Sequence, residues 1–226
     1  MAVIFWDFDG TLVCSNHLWS GSVYNALKET VPDTDVAFSE IRKCMAKGFT
    51  WHTPNNDYSN FIGDKWWYFM IDKICNDYIS MGVEKEKAVA ASLKVPAIIK
   101  NIENYNLYPD TILTLKRSIK AGNINVILSN NYPDLEDVII ELGLSEYFDR
   151  IIVSALEGYD KPRKELFDIA KSYYPAQEYI MIGDNISADI LGGKNAGMKT
   201  ILVHNGFSEN ADVCAENLSD IDFKSI

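Results

Sequence analysis

The chain has 226 residues, 47% hydrophobic and 23% charged, long enough to bury a substantial interior as one large unit or as a core carrying an insertion. Its 32 acidic and 21 basic residues give a formal net charge of −11, which argues against nucleic acid or an anionic membrane as a general partner. The thiols Cys14, Cys44, Cys75 and Cys214 are widely spaced, with no C-x-x-C pair, and the start lacks the pattern of a secretory signal. Both features point to reduced thiols in the cytoplasm, and no apolar run approaches the length of a membrane span. His17, His52 and His204 are scattered, and Cys14-x-x-His17 alone is more often incidental than metal-binding.

The first element is the apolar run Ala2-Val3-Ile4-Phe5-Trp6, which reads as a strand buried on both faces, as in a parallel sheet covered by helices. It runs directly into Asp7-Phe8-Asp9-Gly10-Thr11-Leu12. Helical patterns follow from near His17 through Leu27, from Val36 to Lys47, from Tyr58 to Met81 and from Glu84 to Leu93. A polar loop interrupted by Pro54 lies among them. Between about Ser15 and Asn106 nothing alternates like a strand. After Pro109 the pattern changes. Helices are expected over Asp110–Ala121, Asp134–Leu142, Lys164–Tyr173 and Ile186–Ala196, and strands over Ile124–Leu128, Ile151–Val153, Tyr179–Ile182 and Thr200–Val203. This alternation predicts an α/β fold with a Rossmann-like parallel sheet, built from residues 1–14 and 107–226, with a smaller all-helical cap at 15–106.

Ligands of such sheets collect beyond the carboxyl ends of the strands. Asp7 and Asp9 sit at the first of these ends, Ser129 and Asn130 at the second, and Gly183-Asp184 at the fourth. Two close carboxylates raise each other's cost of ionisation and call for a cation or a shared proton, and Mg²⁺ is a hard ion that takes oxygen ligands. Taken alone, Asp7 and Asp9 fit a solvated turn nearly as well, Asp184 fits a helix cap, and Asp189 fits a helix surface. Lys161 precedes Pro162, a favoured first helical residue, so its charge is expected at the helix end where cations are disfavoured. A functional task would explain that placement. Asp184 is the better direct metal ligand of the later pair, with Asp189 behind it.

Together these residues resemble the four ordered motifs of the haloacid dehalogenase superfamily. The matching stretches are Asp7-Phe8-Asp9-Gly10-Thr11-Leu12, Ser129-Asn130, Lys161-Pro162 and Gly183-Asp184-Asn185-Ile186-Ser187-Ala188-Asp189, with Asn195-Ala196-Gly197-Met198 also similar. The resemblance implies a phosphatase of small phosphorylated metabolites. Asp7 would be the nucleophile and Asp9 the acid and base. Asp7, the carbonyl of Asp9 and Asp184 would hold Mg²⁺. Gly10, Ser129, Asn130 and Lys161 would meet the phosphate, and Asp189 and Asn185 would support the ligands. Asp9 separates this pattern from the carbon–halogen and phosphonate branches, whose members lack the second Asp. A sugar-phosphate mutase and a catalytically idle binding protein remain as alternatives, and nothing in the pattern decides between monomer and homodimer. Trp66 and Phe69 are expected in the core of the cap, Trp51 beside His52 is a candidate contact, and Cys14 and Asn16 are candidates at the crossing between cap and core.

Overall fold

The computed structural model describes residues 2–15, 17–176 and 178–223. Asn16 therefore lies outside the described residues. The amino-terminal part runs β1 (Val3–Trp6), β2 (Val13–Cys14), α1 (Leu18–Thr30), α2 (Phe38–Met45), α3 (Asp64–Ser80), α4 (Lys85–Ser92) and α5 (Val95–Ile99). It continues with β3 (Asn106–Leu107), α6 (Thr111–Lys120), β4 (Ile124–Ser129), α7 (Leu135–Glu141), β5 (Arg150–Val153), α8 (Ser154–Glu157) and α9 (Lys164–Ser172). The last part holds β6 (Tyr179–Gly183), a π-helical turn at Ile186–Leu191, α10 (Gly192–Asn195), β7 (Lys199–Val203) and β8 (Val213–Ala215).

Six strands form one sheet in the order β5-β4-β1-β6-β7-β8, and every pairing is parallel. The fold is α/β. In the centre, Trp6 is level with Ile127 of β4 and Ile182 of β6, so the three strands end within two residues of one another. Side chains alternate across the sheet. Ile4 and Trp6 join one apolar cluster with Ile127, Ile182 and Ile201, and that cluster continues through Leu115 and Val138 into Leu27, Trp66, Met70 and Ile74 of the helical segment. Val3 and Phe5 face the opposite cluster, with Leu128 and Met181 packed on Leu166, Phe167 and Ala170 of α9. Each such fully buried apolar side chain contributes about 1.5–3 kcal/mol. The buried indole N–H of Trp6 is satisfied by Asn125 Oδ1 at 3.0 Å, which also accepts from Ser118 Oγ at 2.6 Å.

Several element boundaries differ from the expected ones. The long helix expected from Tyr58 begins only at Asp64, because Gly63 at φ 57° turns the chain, and Phe61 stands outside it. A further short helix, α5, follows the one expected up to Leu93, with Pro96 in its first turn where the missing N–H is harmless. The region read as strand-free is closed at both ends by β2 and β3, a two-residue antiparallel ladder pairing Val13 with Leu107 and Cys14 with Asn106. β8, held through Asp212 contacts to Thr200, is a further edge strand beyond the expected set. Trp66 is buried as expected, and Phe69 packs at the edge of the same core.

The expected setting of Lys161 is corrected. Pro162 is not a first helical residue: the Lys161–Pro162 peptide is cis, Arg163 is extended, and α9 begins at Lys164. Lys161 therefore belongs to a loop rather than a helix terminus, and the reason for its charge lies in what surrounds it.

Candidate active site

The carboxyl ends of β1, β4 and β6 deliver Asp7, Ser129 and Asp184 to one cavity of about 450 Å³, which Asp9, Asn130, Asn131, Lys161 and Asn185 also line. Asp7 follows β1 directly, and its N–H donates to Ile182 O of β6 at 2.9 Å, which continues the ladder one residue past the strand. After it the chain turns sharply. Gly10 adopts φ +84°, a conformation that side chains resist, and a Cβ there would lie 2.4 Å from Asp184 Oδ2. Glycine thus lets the first loop and the β6 loop touch.

Lys161 lies 1% exposed between two carboxylates, its Nζ 2.9 Å from Asp7 Oδ1 and 2.5 Å from Asp189 Oδ1. Burial opposes the ammonium charge, but Asp189 and Asp7 outweigh it and hold its pKa above the ordinary lysine value. Its loop is fixed by Asn130, whose side chain donates to Lys161 O at 2.9 Å and accepts from Lys161 N at 2.7 Å. The Asn130 side-chain amide is thus taken up by the Lys161 backbone. Ser129 is 1% exposed, lines the cavity and has no hydroxyl partner among the described residues.

Asp7, Asp184 and Asp189 each present an oxygen within 4.8 Å of the others. Lys161 pairs with two of the three. Asp184 Oδ1 accepts from Thr11 Oγ1 at 3.5 Å, and its pKa is pushed up to about 7 by burial and by the charges of Asp7 and Asp189. Three carboxylates facing one ammonium leave two negative charges uncompensated, and a set of hard oxygen donors of that kind suits a small divalent cation. Asp189 is fully buried, and its Oδ2 accepts from Asn185 N at 3.0 Å. Asn185 in turn caps the following turn, accepting from Ser187 N and Ala188 N. Of the two residues expected behind the ligands, Asp189 contacts Lys161 and Asn185 contacts Asp189.

Asp9 is turned differently. Its Oδ1 accepts from Ser15 Oγ at 2.9 Å and its Oδ2 from Asn131 Nδ2 at 2.8 Å. Burial pushes its pKa up to about 6, with Asp7 adding to the rise and Ser15 and Asn131 opposing it. Ser15 and Asn131 were not singled out from sequence. The remaining wall comes from the helical segment and includes His17, Trp19, Ser20, Arg42 and Trp51. Trp51 is therefore at the cavity, on a 3-10 turn, stacked on Phe49 with centroids 4.5 Å apart. Cys14 is half-buried on β2 and is not part of the cavity wall.

Two curated relatives and a solved structure share features with this chain. Glyceraldehyde 3-phosphate phosphatase of Pyrococcus furiosus is 28% identical over 210 residues, covering 88% of this chain and 79% of its own. Phosphoserine phosphatase of Thermus thermophilus is 29% identical over 113 residues, 49% of this chain and 45% of its own. The magnesium-bound HAD-hydrolase YfnB of Bacillus subtilis shares the fold with a TM-score of 0.72 at 17% identity, over 96% of this chain and 95% of its own. A family model for haloacid dehalogenase-like hydrolases matches residues 1–197, and the chain belongs to that family.

Proposed function

We propose that the protein is a Mg²⁺-dependent phosphatase that hydrolyses a small phosphorylated metabolite through an aspartyl-phosphate on Asp7. The observation that supports this most directly is the meeting of Asp7, Lys161 and Asp184 at one cavity beyond the strand ends. The phosphatases among the similar proteins support the same reading. In it, residues 1–14 and 107–226 are the catalytic core and residues 15–106 the cap.

The chemistry follows from the residues. A carboxylate oxygen of Asp7 attacks phosphorus as the bond to the leaving oxygen breaks. Asp9 gives its proton to that oxygen and, now ionised, takes one from the water that hydrolyses the acyl phosphate and frees Asp7. Asp9 can carry the first proton near neutral pH because burial raises its pKa to about 6. Lys161 and the Ser129 hydroxyl hold phosphoryl oxygens, and Lys161 also keeps the Asp7 carboxylate in place from its seat on Asp189. Asp7, Asp184 and the Asp9 carbonyl would hold Mg²⁺, which when bound supplies positive charge against the equatorial phosphoryl oxygens.

Purified protein with Mg²⁺ and p-nitrophenyl phosphate should release phosphate, and Asp7→Asn should lose that release. Turnover equal in both proteins would sink the proposal and leave a ligand-binding role. In a screen of phosphorylated metabolites, free phosphate rather than an isomeric ester should accumulate, which separates hydrolysis from mutase chemistry.

A further inference from the structure

The structure fixes which way the amide of Asn131 points. Asn131 is 2% exposed, directly after the Ser129-Asn130 pair at the end of β4. Its backbone N–H donates to Ser154 Oγ at 3.3 Å, and its Oδ1 accepts from the N–H of Tyr132 at 3.0 Å. The amide nitrogen is therefore the end that faces Asp9 Oδ2, at 2.8 Å. The other carboxylate oxygen, Oδ1, meets the Ser15 hydroxyl at 2.9 Å. An amide nitrogen only donates, whereas a hydroxyl donates or accepts as it turns. Oδ2 must then remain an acceptor when Asp9 is neutral, and the hydroxyl proton belongs on Oδ1.

We infer that Asn131 is a positioning residue that commits Asp9 to exchange its proton through Oδ1, first with the leaving oxygen and then with the attacking water. The inference rests on Asp9 serving as acid and base. In the first step the Oδ1–H bond breaks as the leaving oxygen gains the proton and its bond to phosphorus breaks. In the second, Oδ1 takes a proton from water as the water oxygen bonds to phosphorus. Ser15 turns its hydroxyl to suit each state, and Asn131 holds the carboxyl plane through both. Without Asn131 the carboxyl could rotate and place its proton away from the leaving group.

The test compares kcat/KM for benzyl phosphate and dinitrophenyl phosphate in wild type and Asn131→Ala. The benzyl alkoxide needs a proton to depart, and dinitrophenolate does not. The variant should lose roughly tenfold or more on benzyl phosphate and stay within about threefold on dinitrophenyl phosphate. Both rates come from one preparation, so their ratio is independent of the folded fraction. Equal losses on the two esters, or no loss on either, would overturn the inference. Asn131→Leu keeps a similar volume but removes the donor, and it should show the same selective loss; it supplies the comparison if the alanine variant does not fold. A wild type inert toward both esters removes the phosphatase reading itself, whereas an active wild type with an unchanged ratio in the variants removes only the role of Asn131.

Discussion

Asp184 is the side chain at this site with the least compensation. Lys161 contacts Asp7 and Asp189 directly, and Asp184 keeps a pKa of about 7 through burial and the charges of those two carboxylates. Without metal, the folded chain holds a proton on Asp184 that the unfolded chain has lost, over the range from the usual carboxylate value up to about 7. The unfolded state binds fewer protons in that window, so this contribution to stability falls as pH rises through it. Asp184→Asn should therefore melt above the wild type at about pH 8 without Mg²⁺, with the difference shrinking toward about pH 4. The same variant should lose most of the rise in melting temperature that Mg²⁺ gives the wild type. Calorimetry with and without the ion checks both, and a lower melting point for the variant at the higher pH would refute the account.

At the scale of elements, the helical segment supplies part of the cavity wall. α2 carries Arg42 at the cavity wall, and the Arg42 guanidinium has no ion pair or hydrogen bond among the described residues. In a chain of net charge −11, an unpaired guanidinium over an acidic cavity is available to an anionic group on the leaving half of a substrate. Arg42→Ala should raise KM roughly tenfold for phosphoesters bearing a second anion, with little change for neutral leaving groups. Steady-state kinetics on matched ester pairs would show it, and equal effects on both classes would refute it.

The central strands and their polar ends were legible because β1 is an unbroken apolar run and because strand ends of a parallel sheet must converge. β2, β3 and β8 were not, since two or three residues carry no readable period and their pairing depends on partners far along the chain. Ser15 and Asn131 escaped for the same reason. Asn131 and Asp9 are 122 positions apart, and nothing local to Asn131 distinguishes it from the polar turn it belongs to. The charge of Lys161 is explained by its two carboxylate contacts and not by a helix terminus, and those contacts lie too far along the chain to be read locally.

Over the whole molecule, the helical segment and the sheet share one apolar cluster, joined at its rim by polar contacts. Asp134 accepts from the Trp67 indole N–H at 2.5 Å and pairs with Lys100 at 3.1 Å. Gly63 N donates to Ala155 O at 2.9 Å, and Arg163 reaches Asn56 O at 3.2 Å. Trp67 is 8% exposed, so removing its acceptor strands a nearly buried donor. Asp134→Ala should cost about 1–3 kcal/mol, read as a lower urea midpoint, and should speed amide exchange in α3 more than in the central strands. Exchange that quickens equally in both would contradict this. Among the described residues, no helix is long and apolar enough to cross a membrane.

The ladder of β2 and β3 joins the two strands by which the chain leaves the sheet and returns to it. Leu12 O beside it accepts from both Tyr108 N at 3.1 Å and Thr111 Oγ1 at 2.8 Å, which ties the returning strand to the outgoing one again. Outgoing and returning chain are thus riveted to each other rather than to separate anchor points. A displacement of the α1–α5 block would pass through that ladder, and because Ser15 adjoins it, also through the hydrogen bond from Ser15 to Asp9 Oδ1.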